Sequence, residues 1–130
     1  MKVIGHFVDE MFFTDEKTFD ILGKKLSENG SIEVGYRYKI KSDSDFIIRF
    51  SVFIQNEIPR KMYVSMNVVL DLEENITDAF KKSKQNRDEA AKLAYPYLET
   101  FILGYFSLSG YGAISIPSIE AVLSNKKIKE

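Results

Sequence analysis

Between positions 31 and 72, apolar and polar side chains alternate with a period of two. In SIEVGYRYKIKS the even positions are Ile32, Val34, Tyr36, Tyr38 and Ile40, while Glu33, Arg37, Lys39 and Lys41 face the other way. DFIIRFSVFIQN repeats the pattern with Phe46, Ile48, Phe50, Val52 and Ile54, and KMYVSMNVVLDL does so through Met62, Val64, Met66, Val68 and Leu70. A period of two is the signature of a half-buried strand, whose neighbouring side chains point to opposite faces. SDSD joins the first two runs, and NEIPR, with Pro59, separates the second from the third. Connections this short predict an antiparallel meander with one continuous apolar face. The opposite face is mixed, with Ile47, Phe53, Tyr63 and Val69 among Arg49, Ser51 and Asn67. A face this mixed is often an interface.

Upstream, VIGHFVDEMFF is β-like and supplies a fourth strand. The connection after it, TDEKTFDILGKKLSENG, is long for a hairpin and carries its own apolar residues, Phe19, Ile21 and Leu22. Loops of that length are functional or pack as a unit, so a crossover lying on the sheet is expected. Positions 73 to 85, EENITDAFKKSKQ, are charged and weakly helical, and read as a solvated link.

Asn86 then opens a helix. NRDE places Glu89 three residues after a capping Asn, with acid in the first turn. Two stripes follow at helical spacing. Ala91, Tyr95, Leu98, Ile102 and Phe106 form one, and Ala90, Ala94, Tyr97, Phe101 and Leu108 form the other. Pro96 should kink the helix or mark its effective start, and Gly110 with Gly112 should end it. IPSIEAVLSNK reads as a short second helix with Pro117 in its first turn and Ile119, Val122 and Leu123 on one face, before a frayed KKIKE tail. The expected fold is therefore α+β and a single domain over 1–130. It has strands near 3–13, 31–42, 45–56 and 61–72 and helices near 87–108 and 117–125.

One sheet covers only one face of a helix that is apolar on two. The second face must meet something else, either another copy of the chain or a client.

Composition narrows the chemistry. There is no cysteine, which excludes a disulfide framework, a thiolate zinc site and a Cys nucleophile, and fits a reducing cytoplasm. Asp9 and Glu10 fall where a signal peptide would run on as an apolar core, so no export signal is expected. No run approaches about 20 apolar residues, so no membrane span is expected. A net charge of −1 and a pI near 5.9 do not make a nucleic-acid footprint. His6 is the only histidine and has no identifiable acid or nucleophile beside it. Asp9–Glu10 point to opposite faces of a strand, and Asp88–Glu89 answer the helix dipole. SGYG follows a helix and lacks the Lys-Ser/Thr of a phosphate cradle. The reading is non-enzymatic, with no cofactor or metal. What stands out is the aromatic load, 13% of residues with ten Phe and seven Tyr.

The order of parts, with AYPYLETFIL and SGYGAISIPSIEAVL, resembles the SecB-type export chaperones. The resemblance is carried by Tyr95-Pro96-Tyr97, by the Gly-rich turn Ser109-Gly110-Tyr111-Gly112, and by Pro117-Ser118-Ile119 opening the last helix. In layout it covers about positions 3 to 125, and in residue detail about 91 to 123. The chain departs from the family at the turn, where Arg-Gly-Gly-Phe-Pro is replaced by Ser-Gly-Tyr-Gly-Ala-Ile-Ser, and shows no acidic docking surface. The resemblance implies a four-stranded sheet with two helices, a homodimer or homotetramer in which the outer stripe of the long helix, taken as Tyr95, Leu98, Ile102 and Phe106, packs against another copy, and ATP-independent holding of unfolded polypeptide beside the crossover loop and last helix. On that basis the groove is expected to be lined by Phe19, Ile21, Leu22, Ile119, Val122 and Leu123, flanked by Met62 and Val64. Met and aromatic side chains adapt to varied partners. A second reading keeps the fold but gives it one dedicated protein partner, such as an antitoxin, or a purely structural oligomer.

Overall fold

The computed structural model describes residues 1–15, 17–18, 32–38, 44–55, 61–110 and 116–128. Strands β1 (Lys2–Thr14), β2 (Ile32–Tyr38), β3 (Asp45–Gln55) and β4 (Lys61–Asp71) are followed by helices α1 (Asp78–Lys82), α2 (Lys84–Leu108) and α3 (Ile119–Ile128). The strands form one antiparallel sheet in the order β1-β4-β3-β2. The fold is α+β, with β2, β3 and β4 as the meander and β1 added beside β4. The segment joining β1 to β2 therefore connects opposite edges of the sheet, which is why it is too long for a hairpin.

The alternation read from the sequence sets the faces. Phe46, Ile48, Phe50 and Val52 of β3 and Met62, Val64, Met66, Val68 and Leu70 of β4 point inward and form the core with α2. Registers such as Phe50 opposite Met66 and Val52 opposite Val64 put apolar side chains directly across from one another. β4 is an interior strand, so Met62 and Val64 sit in the middle of the sheet, fully buried.

Helix α2 begins earlier than the capping signal at Asn86 predicts. The Ser83 hydroxyl caps it by accepting from the Asn86 amide at 3.2 Å. What reads as a solvated link contains α1, capped by Thr77. Its Phe80 packs edge-on against Phe46, which in turn stacks on Tyr38. Two hydrogen bonds tie this end together. The Tyr36 hydroxyl donates to the Arg87 carbonyl at 3.0 Å, and Arg87 Nη1 donates to the Lys81 carbonyl at 2.9 Å. Burial, reinforced by nearby Asp88, pushes the Tyr36 hydroxyl well above its ordinary pKa. α2 runs without a break through Pro96, whose missing N–H falls on the exposed side of the helix. It ends at Ser109 and Gly110, where a φ of +81° favours glycine.

On the outer face, Arg49 of β3 reaches Asp9 of β1 at 3.0 Å, spanning β4 between them. Arg49 stands opposite Asn67, and Asn67 and Ser65 are both buried although they face away from the core. Farther along the same face, Phe53 and Tyr63 are buried with Phe12 beside them. The mixed outer face is thus partly closed within the chain.

Candidate functional site

The structure reverses the expected orientation of α2. Tyr95 is 1% exposed, and Leu98, Ile102 and Phe106 are fully buried, all of them packed into the sheet core. The stripe expected to face a second copy is the inner one. Both stripes are apolar in sequence, so spacing alone gives their separation on the helix and not the rotation of the helix about its axis. The sheet takes Ala90, Ala91 and Ala94 along with the first stripe, because small side chains allow close approach. What remains outside is Leu93, Tyr97, Leu103 and Leu108.

The expected groove residues divide three ways. Phe19, Ile21 and Leu22 lie outside the described residues. Met62 and Val64, expected to flank the groove, are instead core: they lie on the interior strand β4 and are fully buried. Val122 and Leu123 are buried within the chain, whereas Ile119 is half-buried at the start of α3. α3 is anchored to α2 at this end. The Tyr95 hydroxyl donates to the Pro117 carbonyl at 2.6 Å, while its ring meets Phe50 edge-on at 5.7 Å. Burial, with a smaller push from the Glu99 carboxylate, raises the Tyr95 pKa to about 12. The motif Tyr95-Pro96-Tyr97 therefore faces two ways. Tyr95 points into the protein and holds the last helix, and Tyr97 points out.

The side chains that face outward line a groove. Between the inner face of β1 and the flank of α2 lies a cavity of about 900 Å³, lined by His6, Val8, Met66, Leu93, Pro96, Tyr97, Thr100 and Phe101. The His6 and Tyr97 rings touch across it, 4.8 Å apart. α2 packs across β1, β3 and β4, with Phe13 of β1 edge-on to Tyr105 and Phe106, and the groove opens toward the other end of β1, at His6 and Val8. Its lining is apolar with three polar points, the His6 imidazole, the Thr100 hydroxyl and the Tyr97 hydroxyl, and nothing in it forms a nucleophile–base pair. Sequence reasoning missed it, since His6 reads as an isolated residue on a strand. The available signal was Ile4, Phe7 and Val8, apolar on both faces of a strand that among the described strands pairs only with β4.

No protein-family model and no curated protein sequence matches the chain. Solved structures do share its fold. A protein of unknown function from Streptococcus agalactiae superposes with a TM-score of 0.59 at 10% identity, covering 91% of this chain and 98% of that one. A SecB-like chaperone of Mycobacterium tuberculosis, in complex with a ChAD peptide from the HigA1 antitoxin, superposes with a TM-score of 0.56 at 12% identity, covering 89% of this chain and 85% of that one. The chain has the fold of a SecB-like chaperone. At these identities the likeness is one of fold, and it extends over nearly the whole chain.

Proposed function

We propose that this protein is a non-enzymatic, chaperone-like binding protein that holds apolar segments of other polypeptides and works as a homo-oligomer in the cytoplasm. The observation that carries the reading is the fold shared with a SecB-like chaperone that binds a peptide of another protein. The surface chemistry supports it. Ile4, Phe7, Val8, Leu93, Tyr97, Leu103 and Leu108 are all exposed on one small chain, and an apolar surface on that scale marks contact with another protein. The polypeptide site is proposed to comprise Phe19, Ile21 and Leu22 of the β1–β2 connection together with Ile119 of α3, as the family resemblance implies.

The peptide in the mycobacterial complex comes from an antitoxin, and this favours the second reading, in which the partner is one dedicated protein. The two readings differ in breadth. Aggregation of several unrelated unfolded enzymes should be suppressed by stoichiometric amounts of the protein without nucleotide, and Phe19→Ser should weaken that effect. Suppression of none of them, together with capture of a single protein from cytosol, would establish the dedicated partner instead.

A further inference from the structure

The groove between β1 and α2 has the dimensions of a small-molecule site. Such sites are concave, about 300–1,000 Å³ in volume and mostly apolar, with a few polar groups that fix orientation. This one measures about 900 Å³. Its floor is the core side chain Met66, 2% exposed, which stands opposite Val8 on the neighbouring strand. Its helix wall runs from Leu93 to Phe101, about 12 Å at the α-helical rise. The cleft is therefore elongated, with a closed floor and an open top.

Its polar points gather in one place. The His6 ring meets the Tyr97 ring at 4.8 Å. Thr100 lies one helical turn beyond Tyr97, the spacing of neighbours on one helix face. All three side chains carry a hydrogen to donate, one imidazole N–H and two hydroxyls. Among the described residues lining the cleft there is no carboxylate. A head group with acceptor oxygens is matched by this set, and an ionised carboxylate is acceptor-only. An ammonium head would lose its water there without meeting an anion, which is costly.

We propose that this cleft binds a small anionic amphiphile, a medium-chain fatty acid, with its carboxylate at His6, Tyr97 and Thr100 and its hydrocarbon tail over Val8 and Met66. The side chains of Leu93, Val8 and Pro96 present no polar atom to a chain lying beside them. Met66 has three rotatable bonds with which to adapt to it. Each methylene buried raises affinity by up to about fourfold, so the tail gains from every carbon that the cleft covers. Leu93 and Tyr97 are 43% and 37% exposed, so the tail enters without displacing any part of the core. Ile119, the described member of the polypeptide site proposed above, is not part of this lining, and either site stands without the other.

The single histidine reports on the site without interference. Sodium decanoate, added to the intact chain below its micelle threshold, should shift the His6 imidazole NMR signals saturably. Octanoate, shorter by two methylenes, should bind about tenfold more weakly. By calorimetry, decanoate should bind at least about tenfold more tightly than decanol or decylamine, the worth of hydrogen bonds to a charged group. His6→Phe keeps a ring against Tyr97, and Thr100→Val keeps the shape of its side chain. Both should still bind decanol but lose most of the preference for decanoate, while Leu103→Ala, outside the lining, should change nothing. Failure of decanoate to shift His6, or equal binding of the acid and the amine, overturns the proposal. So does full preference for decanoate in both variants. His6 signals that move on dilution of the protein alone, or with an unfolded apolar peptide, but not with decanoate, assign the cleft to a second copy or to a polypeptide and overturn the fatty acid.

Discussion

Replacing Tyr95 by Phe removes a single oxygen from the point where the last helix is attached. The ring stays in place against Phe50, so packing in the core is preserved. The lost interaction is the 2.6 Å hydrogen bond to the Pro117 carbonyl. Pro117 is itself exposed, so water can reach its carbonyl once the hydroxyl is gone. The cost is then the net value of one hydrogen bond, about 0.5–1.5 kcal/mol, rather than the larger penalty of a stranded buried acceptor. For a chain of this size that lowers the thermal midpoint by about 2–6 °C. The effect should be local before it is global, because α3 is otherwise held mainly by Val122 and Leu123. Hydrogen exchange of residues 119–124 should accelerate while the β3–β4 ladder is unaffected. The pH dependence has a definite sign. Folding raises the Tyr95 pKa from 10 to about 12. Its contribution to stability is whole below pH 10 and is lost as pH rises through 12, since the unfolded chain releases the proton first. The Phe variant lacks this loss, so the stability gap between wild type and variant should narrow steadily from pH 10 to 12. Tyr36, also raised by burial, keeps its own alkaline decline in both proteins. An unchanged midpoint with unchanged exchange at 119–124 would falsify the assignment of Tyr95 as the tether of α3.

Three further outcomes are expected. Met62→Ala, at a fully buried site on the central strand, should cost about 2–5 kcal/mol in urea unfolding without altering partner binding by the molecules that remain folded. Ser83→Ala removes the cap of α2 and should cost about 0.5–2 kcal/mol by thermal circular dichroism, whereas Asn86→Ala should cost less. Arg49→Gln breaks the span to Asp9, whose partners are 26% and 42% exposed, and should change stability by no more than about 1 kcal/mol, with the difference vanishing in high salt.

The strands were legible because alternation is a local property. Phe46 to Ile54 and Met62 to Leu70 declare their inner faces without reference to anything else in the chain. Strand order is not local. That β4 lies inside the sheet, and that Met62 and Val64 are therefore core, follows only once β1 is placed beside it. The length of the β1–β2 connection did carry half of this information, since it ruled out their being hairpin neighbours. α1 was hidden by its charge. One aromatic, Phe80, anchors it, and a single apolar residue among lysines and acids does not make a periodic pattern. The rotation of α2 was illegible for a different reason. A helix with two apolar stripes has no sequence feature that says which one the sheet takes. The three alanines at 90, 91 and 94 come closest, because a sheet approached by a helix rewards small residues at the contact.

That rotation decides where function can lie. With Tyr95, Leu98, Ile102 and Phe106 committed to the core, the outward side of α2 offers Leu93, Tyr97 and Leu103, a sparser set than the inner stripe. By itself it is a weak interface. Placed beside β1 it becomes one wall of a groove whose other wall is the inner face of that strand at His6 and Val8. The adjacent residues Tyr95 and Tyr97 then serve opposite sides of the helix, one holding α3 and the other meeting His6. The long helix keeps two features apart: the β1 groove lies along one flank, and the anchored end of α3 is reached through its buried face.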